Sequence, residues 1–71
     1  MKQPRLRVAN RIKRHIRQAK TIAEVNAVVT AHARAWRALK NSRRPIDRTM
    51  ATQIENLASY RRMCIRMGWN G

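Results

Sequence analysis

Apolar residues recur every three or four positions along most of the chain, and this spacing predicts helices. The first apolar stripe is formed by Val8, Ala9, Ile12, Ile16 and Ala19. It predicts a helix over 4–19, and Pro4 favours this start because proline suits the first turn of a helix.

A second apolar stripe predicts one continuous helix over 22–40. It is formed by Ile22, Val25, Val28, Val29, His32, Trp36 and Leu39. Thr21 and Glu24 have the spacing of a capping box, which marks a helix start. Because only Lys20 and Thr21 separate the first two helices, we expect an antiparallel hairpin or a sharp kink between them.

Pro45 prevents a smooth continuation of the second helix and opens a third, which is predicted from 45 or 46 to 67. Its apolar face is formed by Met50, Ile54, Leu57, Ala58, Cys64 and Ile65. Gly68 suits the residue after a helix end, where Trp69 would pack back on the last turn. The sequence thus predicts a single all-α domain over 1–71, with a two-helix hairpin and a third long helix.

The composition predicts a thin core. Hydrophobic residues make up 44% of the chain, but many are alanine and none is phenylalanine. Alanine favours helix yet contributes little when it is buried. A chain this short buries only about 60% of its unfolded surface. We therefore expect marginal stability, and a homodimer or a binding target remains open as a second source of stability.

The net charge of the chain is the feature that best indicates its binding partner. The chain has 17 lysines and arginines against three acids, and its formal net charge is +14. Self-repulsion of this size destabilises a compact state, and an anionic partner relieves it. The charge therefore predicts that the partner is nucleic acid, DNA or RNA, or an acidic surface of a nucleic-acid-processing complex.

Two sets of cations are candidates for phosphate binding. The first lies on the first helix and comprises Arg5, Arg7, Arg11, Lys13, Arg14, Arg17 and Lys20. The second surrounds the end of the second helix and comprises Arg34, Arg37, Lys40, Arg43 and Arg44. Like charges at i and i+4 destabilise a helix, so their repetition without acids favours polyanion binding over a merely solvated face. Arginine also bonds phosphate in bidentate fashion.

Four residues are candidates for contacts with a partner: His32, Tyr60, Arg61 and Trp69. His32 lies on the apolar stripe, where a core histidine is the alternative. Arg61 lies near the centre of the third apolar face, where its guanidinium either reaches out to solvent or meets a partner. Tyr60 would stack on a nucleotide together with Arg61 and Arg62. Trp69 would anchor an interface.

The sequence carries no arrangement typical of catalysis or metal binding. Cys64 is the single cysteine, His15 and His32 are the two histidines, and there is no glycine-rich phosphate loop. We predict no enzyme activity and no cofactor or metal. We predict a cytoplasmic location, with nucleoid or ribosome association open and no membrane partner, because no apolar run is long enough to span a bilayer.

Two functions fit these features. The leading hypothesis is a small basic nucleic-acid-binding protein that makes phosphate contacts with weak sequence specificity. The alternative is a small accessory or inhibitory protein, similar in style to those of phages and other mobile elements. It would dock on a nuclease, helicase, polymerase or ribosome through electrostatic complementarity. A membrane-active amphipathic peptide is disfavoured, because the first apolar stripe has no aromatic residue.

Overall fold

The computed structural model describes residues 4–68, with side chains from residue 6 onward. Helix α1 spans Pro4–Gln18, α2 spans Ile22–Ala31, α3 spans Ala33–Lys40 and α4 spans Pro45–Arg66. The all-α prediction is confirmed in this part of the chain. The predicted number of helices is wrong, because the second predicted helix is divided into α2 and α3.

The division falls at a single residue, His32, whose φ of −107° and ψ of 16° leave the helical range. Hydrogen bonding continues on both sides, since His32 N–H donates to the Val28 carbonyl at 3.1 Å and Trp36 N–H to the His32 carbonyl at 2.9 Å. Contacts across the bundle accompany the bend: the His32 ring lies 5.7 Å from that of His15. The Trp36 indole N–H donates to the Ala51 carbonyl of α4 at 3.1 Å.

The turn between α1 and α2 forms as the sequence predicts. Thr21 Oγ1 accepts the Glu24 N–H at 3.1 Å, and the Glu24 carboxylate accepts the Lys20 N–H at 3.2 Å. The first bond satisfies a donor in the first turn of α2 that has no partner within the helix, and the second bond ties Lys20 to the same turn. His15 and Val28 line one groove between the two helices. The predicted antiparallel hairpin is therefore confirmed.

Polar contacts fix the direction of α4 against this hairpin. Lys13 Nζ donates to Gln53 Oε1 at 3.0 Å, and Arg61 Nε donates to the Ala19 carbonyl at 2.9 Å. Both pairs advance in the same sense, so α4 runs parallel to α1. Because α2 and α3 return antiparallel to α1, α4 also runs antiparallel to them.

Asp47 organises the start of α4. Its side chain is buried, and Ser42 Oγ donates to its Oδ2 at 2.7 Å. The same Ser42 oxygen accepts the Arg44 N–H at 3.1 Å. A carboxylate in the first turn also suits the positive end of the helix dipole. This network fixes the turn between α3 and α4.

The end of α4 also follows the prediction. Met67 N–H donates to the Met63 carbonyl at 2.9 Å, and Gly68 N–H donates to the Ile65 carbonyl at 3.1 Å. Gly68 has a φ of 79°, the left-handed conformation that favours glycine. The predicted packing of Trp69 on this turn lies outside the described residues.

The core is one cluster between the helices, and it is as thin as the composition predicts. Its buried members are Ala9, Ile12, Ile16, Ala19, Val25, Leu39, Ala51, Ile54 and Ala58. Because four of these nine are alanines, the few large aliphatic side chains supply most of the buried apolar surface.

Ile16→Ala should lower the free energy of unfolding by about 2–5 kcal/mol, because it removes a fully buried side chain and leaves a cavity. Urea unfolding followed by circular dichroism measures this loss. Ile46→Ala is the matched control, since Ile46 is 42% exposed and should lose far less. Equal losses in the two variants would contradict the assigned core.

Arg61→Met should lower the free energy of unfolding by about 1–2 kcal/mol, because it keeps an apolar stem but removes the bond to the Ala19 carbonyl. That bond also places a cation at the carbonyl end of α1, where the helix dipole favours it. Arg66→Met is the control, because Arg66 is exposed on the same helix. If thermal unfolding shows the two variants to be equally stable, the Arg61 bond does not support the fold.

Candidate nucleic-acid interface

Exposed arginines line the outer side of α1. Arg7, Arg11 and Arg14 follow one another at i, i+4 and i+7, on the side of the helix opposite buried Ile16. At 1.5 Å per residue, the three positions span about 10.5 Å. Arg17 is exposed beside them. These four residues are called the α1 arginine surface.

No acid lies on the same helix as this surface. The sequence of α1 contains neither aspartate nor glutamate. Asp47 is buried at the start of α4, and Glu24 is engaged at the start of α2. Glu55 lines the cleft that α4 forms with α2 and α3. The α1 arginine surface therefore keeps its charge and faces solvent.

Four other cations bond across the described part of the molecule, and all of their acceptors are neutral. These bonds join Lys13 to Gln53 Oε1, Arg48 to the Ser42 carbonyl, Arg61 to the Ala19 carbonyl and Arg62 to Asn26 Oδ1. A neutral acceptor orients a cation but does not cancel its charge. These bonds therefore tie the helices together while the positive field of the molecule remains.

The second predicted set of cations gathers at the end of α3 and in the turn after it. Its members Arg34, Arg37, Arg43 and Arg44 are exposed, and the Lys40 ammonium lies 4.8 Å from the centroid of the Trp36 ring. Helix α3 packs mainly against α4 and only lightly against α1. Because α3 returns antiparallel to α1, this set lies toward the Arg7 end of the α1 arginine surface, whereas Arg14 and Arg17 lie toward the turn between α1 and α2. The Arg5 side chain lies outside the described residues.

The middle of α4 has no cation, and Glu55 is its one charged residue. It presents Thr49, Thr52, Asn56 and Ser59, all of them exposed. Between Arg48 and Arg61 the helix contains no lysine or arginine. The positive charge therefore lies on α1, around the end of α3 and at the end of α4, where Arg61, Arg62 and Arg66 follow one another, and the middle of α4 lacks it.

Two of the residues that are predicted to contact a partner, His32 and Arg61, also contact other residues of this chain. His32 is half-buried beside His15 and lines a cleft of about 240 Å³ with Trp36. Arg61 bonds the Ala19 carbonyl. The partner roles of these two residues stay predictions, as does that of Trp69, which lies beyond the described residues.

Tyr60 lies at a groove that the sequence does not reveal. Arg61 and Arg62 bond the Ala19 carbonyl and Asn26 Oδ1. The predicted contact of Tyr60, Arg61 and Arg62 with a nucleotide stays a prediction. The Tyr60 side chain is 54% exposed and lines a groove between α1 and α4. Lys13 and Arg17 line the same groove from α1.

Two amide side chains of this groove, Gln53 and Asn56, are not among the predicted site residues. They lie three residues apart on α4, off its apolar face. Their proximity to Lys13 depends on the register of α4 against α1, which local spacing does not contain. The polar side of α4 was the one feature of the sequence that could have pointed to these two amides. A polar helix side is equally typical of a surface that contacts only solvent.

Within residues 4–68, no helix has the length and apolar content needed to cross a membrane. In the same range, no three histidine, cysteine or acidic side chains come together as metal ligands. Comparison with protein-family models, with curated proteins and with solved structures finds no match to this chain. Function is accordingly inferred from the charged surface and its neighbouring groove.

Proposed function

We propose that this chain is a small nucleic-acid-binding protein that contacts phosphates through its arginine-rich helical surface. The observation that carries the proposal is the α1 arginine surface, with exposed guanidinium groups on one side of a helix that contains no acid. The exposed cations at the end of α3 extend this surface.

A polymer of phosphates suits this surface better than a single anion does. Arg7, Arg11 and Arg14 repel one another along α1, and one small anion would relieve only part of that repulsion. A phosphate backbone supplies charges in series and releases its own counterions when it binds. The guanidinium group matches phosphate oxygens in bidentate geometry.

Binding through phosphates determines how selective the protein should be. Phosphate contacts position a nucleic acid without reading its sequence, so we expect weak sequence specificity. The protein would act by binding and not by catalysis, with DNA and RNA both acceptable as polyanions. We place it in the cytoplasm, and association with the nucleoid or the ribosome stays open.

The triple variant Arg11→Gln, Arg14→Gln, Arg17→Gln should weaken binding to a labelled oligonucleotide by at least about a hundredfold at moderate salt. Each lost phosphate contact removes a charge-assisted bond and its counterion release. Fluorescence anisotropy measures the affinity, and circular dichroism checks that helicity is retained.

A variant with Glu at the exposed α4 positions Thr49, Thr52 and Ser59 is the matched control. It also lowers the net charge by three, but it leaves the α1 arginine surface intact. It should therefore keep most of the affinity. Equal weakening in the two variants would show that net charge alone drives binding. It would contradict the assignment of the binding site to the α1 arginine surface.

An exposed apolar patch favours a second candidate, the accessory or inhibitory protein that docks on a larger nucleic-acid-processing machine. Met63 is 44% exposed and Met67 is 60% exposed at the end of α4, close to Tyr60. Large apolar side chains grouped at a surface are typical of protein contacts. Under this candidate the basic surface would face an acidic groove of the partner protein.

Met63→Ser combined with Met67→Ser distinguishes this candidate. If it is correct, one protein should remain with the tagged chain in a defined ratio after exhaustive nuclease treatment of a native lysate, and the double variant should release it. If every protein is lost with nuclease, or if the double variant keeps the same partner, the docking candidate is wrong.

A further inference from the structure

A shallow groove between α1 and α4 combines four kinds of side chain. It is lined by Lys13 and Arg17 from α1 and by Gln53, Asn56, Leu57 and Tyr60 from α4. The groove therefore holds two cations, two amides, one half-buried leucine and one exposed aromatic ring. Arg17 belongs to the α1 arginine surface as well, so the groove is continuous with the proposed phosphate-binding surface.

Each of these polar or aromatic groups can contact a different part of a nucleotide. The Tyr60 ring is 54% exposed and offers a face on which a base can stack. The Lys13 ammonium is held by Gln53 Oε1 at 3.0 Å, and its Nζ lies 4.0 Å from Met50 Sδ, so the cation is fixed beside the groove. Amide side chains can donate to and accept from the polar edge of a base.

We propose that this α1–α4 groove is a subsite for one unpaired nucleotide, and that the protein accordingly prefers single-stranded nucleic acid to duplex. The inference rests on the proposed nucleic-acid-binding function and deepens it. A base in a duplex is stacked on both faces, so its ring is not available to an aromatic side chain. Only an unpaired base can lie against Tyr60 while its phosphate remains at Arg17.

The chemistry of the ring agrees with this role. Hydrogen bonding to the Cys64 side chain, one turn along α4, raises the pKa of Tyr60 above its ordinary value of 10.0. A phenol is neutral at physiological pH even at its ordinary pKa, so the Tyr60 ring does not repel a phosphate. Single-stranded RNA and single-stranded DNA both present an unpaired base, and the experiment includes both.

The test compares wild type, Tyr60→Leu and Tyr60→Phe on oligoadenylates of about eight nucleotides, in ribose and deoxyribose forms, and on a duplex of the same length. Wild type should bind the single strands more tightly than the duplex. Tyr60→Leu should weaken single-strand binding about tenfold, because one base loses its stacking partner, and should leave duplex binding unchanged. Tyr60→Phe keeps the ring and should retain single-strand binding.

A second readout follows the ring directly. Tyr60 is the one tyrosine of the chain, so its aromatic NMR signals are assigned without ambiguity. Stacking on a base should move these signals upfield when a single strand is added, and a duplex should leave them in place. The Tyr60 signals thus report stacking even if a substitution alters stability.

The outcomes separate the subsite from the proposed function. If the single strands bind but Tyr60→Leu has no effect and the ring signals do not move, the subsite is wrong and the α1 arginine surface stands. A preference for duplex would also overturn the subsite alone. If wild type binds neither single strand nor duplex, the nucleic-acid-binding function itself fails, and the subsite fails with it.

Discussion

The positive charge of this chain is the constraint on which the rest of the structure depends. Seventeen cations must be arranged around a core in which four of the nine buried hydrophobic residues of the main cluster are alanines. The fold uses some of them as ties between helices, as with Lys13 to Gln53 and Arg62 to Asn26. Because those acceptors are neutral, the ties add to the thin core without reducing the self-repulsion of the molecule.

This arrangement divides the cations into two groups with different uses. Lys13, Arg61 and Arg62 turn toward neighbouring helices, whereas Arg7 and Arg11 point away from the bundle. The outward group is the one that an anionic polymer can reach, and most of it lies on α1 and around the end of α3. The proposed function follows from this division more than from the total charge.

Local sequence signals predicted the helices well and their mutual arrangement less well. The apolar stripes located the helix ends, and Thr21 and Gly68 marked a start and a stop through the conformations that they favour. The bend at His32 was not predictable from local signals, because it involves neither glycine nor proline, and contacts with α1 and α4 accompany it. The register of α4 on α1 is similarly non-local, and it is what places Tyr60 on the same groove as Lys13.

The central claim is that the uncancelled charge of α1 and the end of α3 is directed at phosphates. The most direct test is the dependence of oligonucleotide affinity on salt concentration. With six or more phosphate contacts, the affinity should fall by about a thousandfold between about 50 and 200 mM salt. An affinity that hardly changes over this range would show that phosphate contacts do not drive binding and would contradict the account.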